Sequence, residues 1–255
     1  MSHPHRDTGT DAVAKAHAVY TPFTLAFYDL IVHGLSNRFV WRCSTARLKA
    51  LYDVNLSANH VEAGVGTGLF IDSVADRMAV NGPRRLTLLD INESCLARAM
   101  DRLQRFNPDP LQANLLEPLP ADRMPYDSVA LTYVLHCLPG TMEQKLAVTD
   151  HLRPLMKDDA VLFGATILGR GIAPNLAARK LLDLYNEKGV FNNRTDDRDS
   201  LESGLRQRFA RVEIAQEGCV AIFRAADPVP PRDGHQHNIN PAQFCPSRPL
   251  TLGKG

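Results

Sequence analysis

Short apolar runs alternate with amphipathic segments through the middle of the chain. The runs predict buried strands at about residues 59–63, 86–92, 111–113, 126–133 and 160–167. Apolar residues at helical spacing predict helices between them, at about residues 69–78, 93–106 and 141–156. Because strands buried on both faces alternate with helices, the pattern indicates an α/β fold of the doubly wound type with a mainly parallel sheet.

Two stretches depart from this alternation. Before the first strand, apolar and aromatic residues recur at helical spacing and are interrupted at Pro22. This predicts an N-terminal helical cap over residues 1–56, whose third helix begins near Ser36. Residues 168–208 contain two more predicted helices, the first at about 175–186, between two late strands. An insertion at that place is well suited to be a lid over a binding site.

The sequence beyond the lid predicts an antiparallel hairpin with strands at 211–214 and 219–223. This hairpin would bring the sheet to seven strands. From residue 226 onward the composition shifts to proline, glycine, histidine and asparagine without apolar periodicity, which predicts an extended tail over 226–255. The main domain is therefore predicted to span residues 57–225.

Charge and cysteine content narrow the partners and surroundings that can be expected. The formal net charge is +1 over 255 residues, whereas proteins that bind a phosphate backbone usually carry a clear basic excess. We therefore expect no nucleic acid partner. The five cysteines form no CxxC pair, which favours reduced thiols in the cytoplasm over disulfides or a zinc site. The sequence contains neither a long apolar run nor a leader-like segment at its start, so no membrane partner is expected.

A glycine-rich turn follows the first predicted strand. Three glycines stand at alternate positions, Gly64, Gly66 and Gly68, and Glu62 precedes them. Such glycines allow a sharp turn at positive φ and the close approach of a nucleotide-like ligand. A dinucleotide fingerprint needs a glycine at the sixth position of the motif, but counting from Gly64 this position is Leu69. The spacing therefore argues against NAD or FAD.

The stretch from Glu62 to Gly68 resembles motif I of the class I S-adenosylmethionine-dependent methyltransferases. The resemblance extends over about residues 57–167, with an acid at the end of the second strand (Asp90), Asn114 after the third, and 126–129 opening the fourth. It implies a seven-stranded methyltransferase sheet and S-adenosylmethionine as the cofactor.

The resemblance also implies roles for individual residues. Glu62 would face the cofactor's amino group, Asp90 the ribose hydroxyls and Asn114 the edge of the adenine. Thr132 and Tyr133 would lie under the sulfonium. The complete set of implied cofactor contacts is Glu62, Gly64, Val65, Gly66, Thr67, Gly68, Asp90, Ile91, Asn114, Leu115, Thr132 and Tyr133.

Structural roles for three of these polar residues stay open. Asp90 could cap the next helix, whose start also holds Asn92 and a glutamate. Glu62 could pair with an arginine. Asn114 could shape the proline-rich loop in which it stands.

The acceptor side is less strongly marked by the sequence. His136, after the fourth strand, is the candidate general base or substrate positioner, and a purely structural histidine is the open alternative. Tyr133 stands beside the same site. The aromatic residues of the helical cap are expected mostly to pack its helices onto the core, with Tyr20 and Tyr28 as the candidates to face the acceptor cavity instead. The remaining histidines considered for this role are His33, His60 and His151.

The fourth motif limits the type of acceptor. Leu131–Val134 lacks the Asn/Asp-Pro-Pro-aromatic run that is typical of enzymes that methylate exocyclic amines in nucleic acid. Metal-dependent members of the catechol type have an acid near the position of Thr132, and its absence here means that no metal is implied. We expect methyl transfer to O, N or C of a small organic molecule, such as a natural-product intermediate, by a monomer or homodimer. Two alternatives stay open: a protein or tRNA methyltransferase, and a non-catalytic interaction protein with the cofactor fold.

Overall fold

The computed structural model describes residues 38–75, 85–120 and 123–229. Their strands are β1 (Asn59–Ala63), β2 (Arg85–Asp90), β3 (Asp109–Gln112), β4 (Tyr126–Thr132), β5 (Met156–Ile167), β6 (Phe209–Glu217) and β7 (Val220–Pro228). The described strands form one seven-stranded sheet in the order β3-β2-β1-β4-β5-β7-β6. The first five run parallel, whereas β7 is antiparallel to both β5 and β6. The predicted doubly wound sheet with a C-terminal antiparallel hairpin is thus confirmed.

Helices cover both faces of this sheet. They are α1 (Thr45–Asn55), α2 (Leu69–Ala75), α3 (Glu93–Leu103), α4 (Met142–Leu152), α5 (Leu176–Glu187) and α6 (Arg198–Arg206). One buried apolar cluster joins the sheet to α4 and α6, and the other joins it to α1, α2, α3 and α5. Among the described residues, no helix is long and apolar enough to cross a lipid bilayer.

Side-chain caps set the starts of the two helices beside the sheet's central strands. The Asn92 side chain accepts hydrogen bonds from the backbone N–H groups of Ser94 and Cys95 at the start of α3. Thr141 and Gln144 form a reciprocal capping box at the start of α4. Both helices therefore begin within one residue of the predicted positions.

The helix predicted to begin near Ser36 does not continue through residues 41–44. Arg42 has a φ of 58°, a left-handed conformation that a helix does not contain. The Ser44 side chain then accepts from the Arg47 backbone N–H, and α1 begins at Thr45. The rest of the predicted cap, residues 1–37, lies outside the described residues.

Residues 157–159, which lie between the predicted helix at 141–156 and the predicted strand at 160–167, belong to β5. The pairing of β5 with β4 shifts register between Tyr126 and Ser128, so β5 starts earlier than its apolar run. At the other end of the chain, β7 continues to Pro228, three residues into the stretch predicted as a tail. Residues 230–255 lie outside the described part of the chain.

Candidate active site

The glycine turn lies at the carboxyl end of β1, where the strand order reverses between β1 and β4. Ligands of open α/β sheets bind at such a switch point. Gly64 and Gly66 have φ values of 69° and 54°. A Cβ at Gly64 would lie 2.3 Å from Val134 Cγ2, whereas a Cβ at Gly66 would meet nothing within 4 Å. Gly64 therefore fits closely against Val134, which follows β4, while Gly66 borders open space that a ligand can enter.

The turn is held from below by α3. Arg102 of that helix donates to the backbone oxygen of Thr67 at 2.8 Å and contacts the Thr67 hydroxyl at 3.1 Å. The Val65 and Thr67 side chains are buried. Gly68 accepts a backbone hydrogen bond from Asp72 at the start of α2. The turn consequently has a fixed shape, and its side chains are packed into the protein.

Asp90 ends β2 directly beside this turn. Its Oδ2 accepts from the Gly66 backbone N–H at 3.0 Å, and its Oδ1 accepts from the Asn92 backbone N–H at 2.9 Å. Asn92, not Asp90, caps α3, so the helix-cap alternative for Asp90 is wrong. Two backbone donors orient the carboxylate at the sheet edge, with Ile91 half-buried next to it.

Glu62 is buried one residue before the end of β1. Its Oε1 accepts from the Tyr52 hydroxyl at 2.6 Å, and its Oε2 lies 3.1 Å from His60 Nε2. The Tyr52 hydroxyl also lies 3.0 Å from Thr132 Oγ1, at the end of β4. Burial, and then the neighbouring Glu62 charge, raise the pKa of Tyr52 well above its usual range. Among the described residues, the Glu62 carboxylate is thus paired with a tyrosine and a histidine and not with an arginine.

Asn114 lies in the loop after β3 and bonds within that loop. Its Oδ1 accepts from the Leu116 backbone N–H at 3.0 Å, and its Nδ2 donates to Glu117 Oε1 at 2.9 Å. The neighbouring Leu115 is buried, and its backbone oxygen lies 2.9 Å from His151 Nδ1. These bonds fit the loop-shaping role for Asn114, and its contact with adenine stays a prediction.

Tyr133 directly follows β4 and has a φ of 61°, which is uncommon for a residue other than glycine. Its backbone N–H donates to Ala165 of β5 at 2.7 Å. Its ring makes edge contacts with the rings of Phe70 and His136, at centroid distances of 5.8 and 5.7 Å. Burial raises the pKa of its hydroxyl well above the usual range, so Tyr133 is uncharged near pH 7. Its ring forms one part of an aromatic wall at this site.

His136 is buried in a short turn after β4. Its Nδ1 accepts from the Ile167 backbone N–H at 3.3 Å and lies 3.4 Å from Thr166 Oγ1. Burial, and then the charge of Lys145, lower its pKa to about 3. The ring is therefore neutral near pH 7 and carries its proton on Nε2. Of the two predicted roles, this geometry favours substrate positioner over general base.

The insertion over residues 168–208, the predicted lid, contributes aromatic residues that the sequence analysis did not single out. Phe191 packs edge-on against His136, with a centroid distance of 4.5 Å. Its ring also lies 4.9 Å from that of Tyr185 and 6.0 Å from that of Trp41. The available signal was one apolar aromatic residue in an otherwise polar loop. Together these rings extend the aromatic wall that begins at Tyr133.

A buried ion pair fixes a loop of the predicted lid to α4. Lys145 of α4 and Asp196 are both fully buried, with Nζ and Oδ2 2.6 Å apart. Lys145 also donates to the Asn192 backbone oxygen at 2.5 Å, and the Asn192 N–H donates to the His136 backbone oxygen at 2.8 Å. Asn193 Nδ2 donates to the Ile167 backbone oxygen at 2.9 Å. The loop that carries Phe191 is thus held against the ends of β4 and β5.

The other candidates for the acceptor side are two tyrosines and three histidines. Tyr20, Tyr28 and His33 lie outside the described residues. His60 is buried beside Glu62, and His151 is half-buried beside the loop after β3.

The residues at the glycine turn fit S-adenosylmethionine. The open space at Gly66 leaves room for a ligand against the backbone. Next to it, the Asp90 carboxylate can accept hydrogen bonds from ribose hydroxyls. Glu62 lies in β1 just before the turn. Its carboxylate can pair with the positively charged amino group of the cofactor.

Comparisons with known proteins agree with this site. The family model described as "Methyltransferase domain" matches residues 61–162. Demethylluteothin O-methyltransferase of Streptomyces thioluteus is 38% identical over 84% of this chain and 91% of its own length. Methyltransferase aurB of Calcarisporium arbuscula is 37% identical over 84% of this chain and 97% of its own length.

A solved structure has the same fold. N-methyltransferase NodS from Bradyrhizobium japonicum, in complex with S-adenosyl-L-homocysteine, superposes with a TM-score of 0.50 at 18% identity. The match covers 72% of this chain and 84% of NodS. At this identity the likeness concerns the fold alone.

The fold and the site define an S-adenosylmethionine-dependent enzyme built on the doubly wound sheet. The chain belongs to the class I S-adenosylmethionine-dependent methyltransferases. It transfers a methyl group from this cofactor to a small organic acceptor, as the sequence predicts. The predicted family, activity and cofactor are thus confirmed.

Proposed function

We propose that the enzyme methylates the oxygen of an acidic hydroxyl group, a phenol or an enol, on a small and largely apolar natural product. The observation that carries this proposal is the protonation of the described side chains after β4. The pKa of His136 is about 3, and its Nδ1 lone pair already accepts from Ile167. Tyr133 stays protonated because burial raises its pKa. Neither is a good base near pH 7, so an acceptor that ionises by itself suits this site.

The aromatic wall supports an acceptor with a flat apolar body. The rings of Tyr133 and Phe191 meet the His136 ring edge-on, and the Phe70 ring meets that of Tyr133. Such rings bury apolar surface and stack on aromatic ligands. The name of the Streptomyces relative also describes O-methylation.

Each residue has a proposed task in the reaction. The bound cofactor supplies an electrophilic methyl group. Asp90 binds the ribose hydroxyls, and Glu62 faces the amino group. The Nε2–H of His136 donates a hydrogen bond that orients the acceptor oxygen, while the lid aromatics exclude water.

A matched series of acceptors tests the proposal. Purified enzyme is given S-adenosylmethionine with substituted 2-naphthols of different pKa, a 4-hydroxy-2-pyrone as the enol, and the corresponding naphthylamines. Release of S-adenosylhomocysteine is measured against pH. We expect turnover of the hydroxyl compounds, with a rate that rises through the pKa of each acceptor. Preferred turnover of the amines, or one pH profile shared by all acceptors, would contradict O-methylation of an ionised hydroxyl.

The finer features of the predicted assembly are part of this proposal. We propose that the cap over 1–56 and the lid over 168–208 enclose the acceptor, with Tyr20 and Tyr28 among its contacts. We also propose a cytoplasmic monomer or homodimer without a nucleic acid partner. RNA affinity that falls steeply with salt would instead support the tRNA alternative.

A further inference from the structure

A buried chain of hydrogen-bonding side chains runs beneath the glycine turn. From Glu62, one branch passes through the Tyr52 hydroxyl at 2.6 Å, which lies 3.0 Å from Thr132 Oγ1. The other branch passes through His60 Nε2 at 3.1 Å, and His60 Nδ1 lies 2.8 Å from Ser128 Oγ. The chain joins α1, β1 and β4, so three elements meet at one carboxylate.

The two partners of Glu62 are themselves held in place. Tyr52 and His60 are fully buried. The Tyr52 ring meets the Phe163 ring edge-on at 5.0 Å, and the His60 ring stacks on Phe163 at 5.8 Å. Because neither ring can turn away without disturbing this packing, both donors point at fixed places on the carboxylate.

The Glu62 carboxylate keeps capacity for a further partner. A carboxylate offers about four acceptor sites, and one contact is made to each oxygen by Tyr52 and His60. Glu62 is also not completely buried, with a relative solvent exposure of 4%. A carboxylate held in one orientation suits the ammonium group of an amino acid, because the carboxylate does not have to be ordered when the ligand binds.

We infer that Tyr52 and His60 are positioning residues, which act through Glu62 to recognise the amino-acid part of the cofactor. This inference rests on the proposed role of Glu62. A purely structural role would instead support the sheet as a whole and would affect every cofactor-like ligand equally.

Two ligands separate these roles in a calorimetric binding experiment. S-adenosylhomocysteine carries the amino-acid part, whereas 5′-methylthioadenosine lacks it. Tyr52→Phe removes the hydroxyl group and keeps the ring against Phe163. We expect about a tenfold loss of affinity for S-adenosylhomocysteine, with the affinity for 5′-methylthioadenosine within about twofold of wild type. Equal losses for both ligands, or no loss for either, would overturn the inference.

A matched control variant is available in the same sheet. Tyr126 is buried, and its hydroxyl lies 2.6 Å from Thr87 Oγ1. Tyr126→Phe therefore removes a buried tyrosine hydroxyl that has no contact with Glu62. We expect it to leave the affinity ratio of the two ligands unchanged. A shift of that ratio equal to the shift in Tyr52→Phe would also overturn the inference.

Two further variants test whether Tyr52 and His60 act through Glu62. In a Glu62→Gln background, Tyr52→Phe should cause no more than about a twofold additional loss of S-adenosylhomocysteine affinity. His60→Leu should weaken S-adenosylhomocysteine binding, and His60→Gln, which keeps a donor, should restore part of it. A full further tenfold loss in the double variant, or His60→Gln behaving like His60→Leu, would contradict the positioning role.

Glu62→Gln alone separates this inference from the proposed function. If it leaves the ratio of the two affinities unchanged, Glu62 does not face the amino group and its proposed role fails. If it lowers only S-adenosylhomocysteine affinity while Tyr52→Phe does not, the role of Glu62 stands and the positioning inference fails. Thermal unfolding of every variant confirms that the binding changes occur in folded protein.

Discussion

The cofactor side and the acceptor side of this enzyme are built in different ways. At the cofactor side, Asp90 is oriented by two backbone donors, and the glycine turn follows from the backbone conformation of a short motif. At the acceptor side, the lid is held by side chains far apart in sequence, with the buried pair of Lys145 and Asp196 at its base. The glycine turn and Asp90 therefore depend on backbone geometry, whereas the loop of the predicted lid depends on buried charge and packing.

The largest expected effect concerns the lid's ion pair. Lys145→Met leaves the Asp196 carboxylate buried without its cation, and removal of one partner of a buried pair costs about 3–5 kcal/mol. We expect a loss of this size in the free energy of unfolding, measured with urea. In the double variant Lys145→Met/Asp196→Leu, most of the stability should return, because no charge remains buried. A single variant that loses less than about 1 kcal/mol would show that the pair does not anchor the lid.

A smaller effect is expected from the buried histidine at the same side. The pKa of His136 is lowered from 6.5 to about 3 by burial and then by Lys145. Between these values the unfolded chain binds one proton more than the folded protein, so His136 makes stability fall as the pH is lowered from 6.5. His136→Gln does not titrate. Its stability relative to wild type should therefore improve by about 2 kcal/mol between about pH 7 and pH 4.5.

Urea unfolding at several pH values measures this difference, and NMR gives an independent check. The His136 ring signals of the folded protein should show no titration over the same range. A titration midpoint near 6 would mean that the ring is accessible and free to act as a base.

The smallest change in stability is expected from alanine substitutions of two glycines, one on the cofactor side and one in the predicted lid. Gly66 and Gly189 both have positive φ, at 54° and 69°, and a Cβ at either would meet nothing within 4 Å. Alanine at each should therefore cost about 1 kcal/mol of stability through backbone strain. Only Gly66→Ala should also lower S-adenosylhomocysteine affinity, by more than about tenfold. Equal S-adenosylhomocysteine affinity in the two variants would show that the glycine turn is not part of the cofactor site.

The same contrast explains which features the sequence predicted. The apolar runs of the strands and the polar start of α3 at Asn92 are local patterns, so the sequence shows them directly. Asp90 was identified through the resemblance to a known family, since one of its two donors, Gly66, lies 24 residues away. The burial of Lys145 depends on Asp196, which lies 51 residues away, and a lysine in a helix normally indicates a solvent-facing position.

The errors in the fold prediction have local physical causes. Arginine gives no sign of the left-handed conformation that Arg42 adopts before α1. The charged residues at 157–159 resemble a turn, yet the strand continues through them with an irregular register. The partners of Glu62 were missed because Tyr52 comes from a helix before the motif.

The position of β7 has a consequence for how the enzyme is made. This strand lies between β5 and β6, and the Cys219 N–H beside it donates to the Trp41 backbone oxygen at 2.8 Å. Until the ribosome has synthesised β7, β5 has an unpaired edge and Trp41 lacks this partner. Contacts of such large sequence separation form slowly, and unpaired strand edges promote aggregation. Slower translation and lower temperature during expression should therefore raise the yield of folded enzyme.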